Sequence, residues 1–317
     1  MRSNFNREHV EGYVYQHDLT VKTVANKDSE NYGKEFIAGN LEVAVDEAGL
    51  NVIPVHFTYV TEINSKGTKN ATYSNLKKII DENKTWITVG KDNAQKVKID
   101  TALALNDFYA QDGNLVSMKV NEGGFVTLVT ALCEEDQRNT WRADMLITGV
   151  NRIEADPEKN INADYLTVKG AIFNFRNAIL PMEFKLMDER GFSYFENLGA
   201  SSAEPVYTQV WGTINCESKT TKITEESAFG EPAVRTVERK TKDWLITGTF
   251  PDTKVYEFGT EETMTVEDVQ KAMQDREVLL ADIKKRAEEY KASKNSAIPA
   301  PVAEVAQPVA KPGVFKF

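Results

Sequence analysis

Apolar and polar residues alternate with a period of two along much of the chain, which is the pattern of half-buried strands. From Gly12, residues Tyr13, Tyr15 and His17 point to one side and Val14 and Gln16 to the other. Residues 36–45 predict a second strand with a bend at Gly39, and residues 52–63 a third that begins irregularly at Pro54. Short strands at this spacing predict a barrel or a sandwich. The period changes at residues 73–80, where Leu76, Ile79 and Ile80 share one helical face. Strand-like pieces follow at 85–89, 97–104 and 115–120, the last two joined by the hairpin signal Asp112-Gly113-Asn114. Residues 125–132 and 141–150 close this part, and the polar stretch 151–164, with Pro157, is the expected domain boundary. Beyond it, two hairpin arms run over 219–224 and 234–249, around Gly230-Glu231-Pro232.

A local repetition organises these elements. Asp144-Met145-Leu146-Ile147-Thr148-Gly149 returns as Asp243-Trp244-Leu245-Ile246-Thr247-Gly248, five of six positions matching. Phe57-Thr58-Tyr59-Val60 pairs with Tyr207-Thr208-Gln209-Val210, and Gly12-Tyr13-Val14-Tyr15 with Gly170-Ala171-Ile172-Phe173. Landmarks in one order predict a strand-rich module present twice. Thr58 to Asp144 spans 86 positions and Thr208 to Asp243 spans 35, so the first module carries about 50 extra residues. The expected organisation is a module over 1–150 with a basic insertion over about 65–120, and a second module over 165–260. A helix over 265–292 and a Pro/Ala-rich extended tail over 293–317 complete it. Thr265-Val266-Glu267-Asp268 starts that helix with a capping box, and Val269, Met273, Leu280, Ile283, Ala287 and Tyr290 form a stripe expected to dock on the second module, the alternative being another protomer.

At 317 residues, 41% hydrophobic and 27% charged, the chain accommodates two cores. No apolar run reaches the roughly 20 residues that span a bilayer, and the first residues lack a leader's apolar stretch, so a cytoplasmic site and no membrane partner are expected. Cys133 and Cys216 are expected as reduced, buried thiols. The net charge of −10 excludes coating of nucleic acid by bulk attraction. Yet Lys66, Lys69, Lys77, Lys78, Lys84, Lys91, Lys96 and Lys98 face only Asp81, Glu82 and Asp92, a local +5. His9, His17, His56 and the cysteines show no metal-ligand spacing, and Walker-type and Gly-x-Ser-x-Gly motifs are absent. The expectation is no enzyme, no metal and no cofactor.

What remains is aromatic residues on strands with basic neighbours. On 206–214, Val206, Thr208, Val210 and Ile214 suit a core, leaving Tyr207, Gln209 and Trp211 outward. Phe173 and Phe175 share a face with Arg176 just beyond, and Trp86 and Tyr73 are further exposed candidates. Flat rings stack on unpaired bases of any identity while cations track phosphates.

Tandem strand modules, a helical insertion, a basic final hairpin and an aromatic-tipped Pro/Ala tail resemble bacteriophage single-stranded-DNA-binding proteins of the OB-fold type. The stretch from Lys169-Gly170-Ala171-Ile172-Phe173-Asn174-Phe175-Arg176 to Trp211-Gly212-Thr213-Ile214 also looks like segments of phage proteins. The resemblance covers about residues 12–248 plus the tail, and its motifs are loose. It implies mainly β architecture, an OB-like barrel in tandem with a helical insertion and a C-terminal helix, and a role in organising or protecting single strands in replication or recombination. Host-cell cytoplasm is the location implied. Tyr207, Trp211 and Phe175 would then stack on bases. Lys77, Lys78, Lys84, Lys91, Arg176, Arg235, Arg239, Lys240 and Lys242 would meet phosphates, with Trp86 and Tyr73 in support. Phe315 and Phe317 would recruit replication or recombination proteins, although Lys311 and Lys316 make this tip basic where the resembled tips are acidic. The alternatives are a virion assembly protein built from such barrels, and a carbohydrate- or peptide-binding module, which would not need the lysines.

Overall fold

The computed structural model describes residues 4–296 except Ser65, Asn160, 226–232, 252–256, 258, 261 and 262, and excepting the side chains of 217–240 and 293–296. In chain order come β1 (Asn6–His17), β2 (Thr20–Thr23), β3 (Glu35–Ala44), β4 (Val52–Thr61), α1 (Ala71–Glu82), α2 (Trp86–Val89), β5 (Lys96–Tyr109) and β6 (Leu115–Val129). Then follow β7 (Asn139–Ile153), β8 (Tyr165–Phe173), β9 (Ile179–Leu186), α3 (Phe192–Glu196), β10 (Val206–Glu225), β11 (Ala233–Thr249) and α4 (Val266–Ser296).

Strand pairing closes two rings. β1 pairs antiparallel with β3, β3 with β4 and β6 with β5, β5 returns antiparallel to β1, and β4 meets β6 in parallel. The second ring repeats this order: β7–β8, β8–β9, β10–β11 and β10–β7 are antiparallel, and β9 meets β11 in parallel. In each, a helix lies between the third and fourth strands, α1 in the first and α3 in the second. Five strands, one parallel closure and this helix position define an OB-like barrel, so the chain is mainly β with two of them in tandem.

The barrels differ in detail from the sequence expectation. The matching six-residue motifs lie in β7 and β11, the first and last strands of one barrel, and therefore are not equivalent positions of a repeat. β7 pairs with β8 and β10, which puts residues 139–153 in the second ring. Segment 65–120 is no addition to a finished barrel: it supplies α1, β5 and part of β6. Residues 85–89 form a helical turn because Thr85 and Thr88 close a capping box and Gly90 ends it.

Each barrel is filled by inward-facing residues such as Val10, Leu41, Ile53, Phe57 and Ile99 in the first and Trp141, Val168, Phe184, Val210 and Ile214 in the second. Trp141 stacks on Phe184 at 4.8 Å and donates its indole N–H to the Thr213 carbonyl at 3.1 Å. Asn70 caps α1, whose Leu76 and Ile79 are fully buried. Thr265 and Asp268 form the expected capping box of α4. The start of α4 docks on the second barrel, where Val269 and Ala272 are buried with Met264 against Leu146, Phe173, Ile179 and Tyr207. Further along, Arg276 pairs with Asp107 of β5 at 3.0 Å and Lys291 donates to the Ala110 carbonyl at 3.2 Å, while Leu280, Ile283 and Ala287 are half-buried and Met273 and Tyr290 exposed.

The two rings are fused through β1. Its first half pairs with β7, Asn6 opposite Ala143 through Val10 opposite Asn139, while Glu8 to Tyr13 pair with β5 on the other edge. One continuous sheet therefore passes from barrel to barrel.

Candidate nucleic-acid interface

Residues opposite one another in a sheet share a face, as do residues two apart along a strand. Across the fused region this rule builds one row. Phe125 on β6 stands opposite Asp100 on β5, and Asp100 opposite His9 on β1. Arg7, two residues before His9, stands opposite Arg142 on β7, which stands opposite Trp211 on β10. These side chains line a cleft of about 790 Å³ together with Phe5. A second cleft, of about 960 Å³, shares Asp100, Thr101 and Phe125 with the first and continues past Phe175, Arg176 and Leu279 of α4.

Three arginines along this path each lie over an aromatic ring: Arg7 5.2 Å from the centre of Phe5, Arg142 5.3 Å from Trp211 and Arg176 5.1 Å from Phe175. All three arginines are exposed. Phe175 is 82% exposed and Phe125 78%. Local structure fixes both rings. Phe175 sits in a tight turn in which the Asn174 side chain accepts from the backbone N–H groups of Arg176 and Ala178, both at 2.9 Å, and Asn177 adopts a left-handed φ of 60°. Phe125 follows Gly123 and Gly124, whose φ values of 69° and 113° accompany a register shift between β5 and β6. A Cβ at Gly124 would lie 2.3 Å from the Asp100 carbonyl oxygen. Trp211 rests flat on Gly248, where an added Cβ would come within 2.3 Å of its indole nitrogen, and Phe250 meets it edge-on at 5.6 Å.

Carboxylates here are partly engaged. Asp100 faces His9 Nδ1 at 3.2 Å, Glu122 accepts from Thr58 at 3.1 Å, and Asp107 is paired with Arg276 at 3.0 Å.

Of the residues singled out in the sequence, the clefts bring together Trp211, Phe175 and Arg176. Tyr207 is 1% exposed, its hydroxyl donating to Asn4, because α4 and its lead-in cover the outward face of β10 that the alternation left open. Tyr73 is buried, its hydroxyl donating to Glu35 at 3.3 Å. Trp86 is half-buried against Tyr13 at 5.5 Å. The lysines are held elsewhere by carboxylates: Lys77 by Asp81, Lys78 by Glu82 at 3.7 Å, Lys84 by Glu82 at 3.2 Å and Lys91 by Glu47 at 2.6 Å. Lys242 is largely buried with its ammonium 4.7 Å from the Trp244 ring, and burial pushes its pKa down. The backbones of Arg235, Arg239 and Lys240 lie in β11, but their side chains, like Phe315 and Phe317, lie outside the described residues. Sequence reasoning missed Arg7, Arg142 and Phe125; for Phe125 the adjacent glycine pair was the available mark.

Fold and cleft together define a tandem OB-like barrel protein with an aromatic and arginine-lined groove across the barrel junction. The chain belongs to the YorF family, whose model matches residues 6–286. No curated protein matches it. Among solved structures it is similar to a deletion mutant of the single-stranded DNA-binding protein from Thermus aquaticus, at 12% identity and a TM-score of 0.44 over 80% of this chain and 100% of that one. No helix among the described residues is long and apolar enough to cross a membrane.

Proposed function

We propose that this protein binds single-stranded DNA along the groove and acts without catalysis, protecting or organising strands in replication or recombination, as the phage proteins it resembles would. The observation that carries the reading is the set of three arginine-over-ring pairs on a continuous path with the exposed rings of Phe125 and Phe175. Rings fixed by a sheet and a tight turn give bases a stacking surface at little ordering cost, and a guanidinium over a ring keeps its N–H edge for phosphate.

The test is a fluorescence-anisotropy titration with oligo-dT of graded length, duplex DNA as competitor and salt as variable. Expected is a dissociation constant on the order of micromolar or tighter at low salt. With three arginines meeting phosphates, affinity should fall with salt at a log–log slope of roughly −2, from about −0.7 per contact. Absence of binding at low salt removes the proposal. A large DNA-independent oligomer in light scattering would favour an assembly protein.

A further inference from the structure

A cluster beside the groove goes beyond nucleic-acid binding. His9 and Glu11 are two apart on β1 and so face the same way, with His9 Nε2 3.3 Å from Glu11 Oε2. The residues 130–138, which join the two barrels, bring Cys133 to them, and one ligand atom from each of His9, Glu11 and Cys133 lies within 4.8 Å of the others. Each of the three is oriented by something else. Asp100 Oδ1 lies 3.2 Å from His9 Nδ1, where it would accept a hydrogen bond from that nitrogen once Nε2 is turned to a bound ion. The Cys133 backbone N–H donates to Glu11 Oε1 at 2.7 Å, and Arg138 donates to the Cys133 carbonyl at 2.8 Å.

We infer that His9, Glu11 and Cys133 form a zinc-class metal site with Asp100 as the outer carboxylate. A nitrogen, an oxygen and a sulfur donor is a set that zinc takes and magnesium or calcium does not. Bonds of about 2.05 Å from a tetrahedral ion to nitrogen and oxygen set those atoms about 3.3 Å apart. That matches the 3.3 Å between His9 Nε2 and Glu11 Oε2. Sulfur, at about 2.3 Å from the ion, needs a separation of about 3.5 Å from each of them, so Cys133 Sγ, within 4.8 Å of both in this arrangement, would have to move closer on binding. On binding, the Cys133 thiol proton leaves to solvent, and a fourth position stays open to water. A carboxylate behind a ligating histidine is the common outer arrangement of such sites. Linear spacing cannot announce this set, because Cys133 is 122 positions from Glu11.

The test uses untagged full-length protein freed of metal by chelator. Expected is one equivalent of Zn²⁺ by calorimetry, a thiolate-to-metal charge-transfer band with Co²⁺, and a zinc-dependent rise in melting temperature. His9→Ala and Cys133→Ser should each weaken Zn²⁺ binding at least tenfold and abolish the Co²⁺ band or its thiolate component, with circular dichroism confirming the fold. Asp100→Asn, at a positioning residue, should weaken binding roughly 10- to 100-fold while keeping the Co²⁺ band at saturation. Wild-type protein that takes up no stoichiometric metal, or shows a Co²⁺ spectrum without the thiolate band, overturns the inference. So do His9→Ala and Cys133→Ser proteins that bind as the wild type does. The DNA titration stands or falls separately.

Discussion

Replacing Phe175 or Phe125 by alanine separates a binding role from a structural one, because both rings are already in water. With Phe175 82% and Phe125 78% exposed, truncation removes almost no buried surface. The change in folding stability should therefore stay within about 0.5 kcal/mol. Binding is another matter. A base stacked on a ring contributes roughly 1–3 kcal/mol, so each single substitution should weaken oligo-dT binding about 5- to 150-fold. The turn around Phe175 is held by two hydrogen bonds to Asn174, which keeps the remaining backbone in place when the ring is gone. Phe184→Ala supplies the contrast. That ring is fully buried against Trp141, and its loss should cost about 3–5 kcal/mol of stability. The assay is anisotropy at low salt paired with chemical denaturation. If both exposed-ring variants bind within twofold of wild type, the groove is not the nucleic-acid path.

Four further outcomes are open to measurement. Gly248→Ala should push Trp211 off its seat and weaken oligo-dT binding, read by anisotropy and by the indole fluorescence, since the new Cβ lands 2.3 Å from the indole nitrogen. Tyr207→Phe should cost about 0.5–1.5 kcal/mol through the hydroxyl's lost bond to Asn4, in chemical denaturation, and leave DNA affinity unchanged. Burial pushes the Lys119 ammonium down to about 8, so the unfolded chain binds more protons from there to its ordinary 10.5. Stability of the wild type relative to Lys119→Met should accordingly rise with pH across that interval by up to about 3 kcal/mol, followed by denaturation at each pH. Lys77→Glu with Lys78→Glu should leave DNA affinity within about twofold, because α1 lines neither cleft.

Period-two alternation carried the strands and the class of fold, because each barrel buries one face of every strand. Partners were not legible, since alternation assigns faces and not neighbours. The six-residue match shows the difference. Gly149 in β7 has open space where a side chain would go, whereas Gly248 in β11 carries the Trp211 ring. The same letters answer to different constraints. On β10 the alternation separated two faces correctly, but the cover over Tyr207 arrives from Met264, Val269 and Ala272, some sixty residues later. The lysine surplus of 65–98 misled because position in sequence says little about pairing. Even so, the spacings Lys77–Asp81 and Lys78–Glu82 are those of neutralising pairs on a helix. Arg7 and Arg142 are isolated in sequence and become neighbours only when β1 pairs with β7.

That pairing also accounts for how an acidic chain could serve the proposed nucleic-acid binding. A net charge of −10 gives no long-range pull, so contacts must work at short range and in place before the ligand arrives. β1 achieves this because it is hydrogen-bonded on both edges, to β7 over Asn6–Val10 and to β5 over Glu8–Tyr13. Phe125, Arg7, Arg142 and Trp211 are thereby spaced by backbone ladders and not by flexible loops. Little conformational freedom is left to lose on binding, which raises the net return of each stacking contact. Disrupting the β1–β7 ladder would therefore harm binding more than removing any one cation, because it would break the alignment of both halves of the groove together.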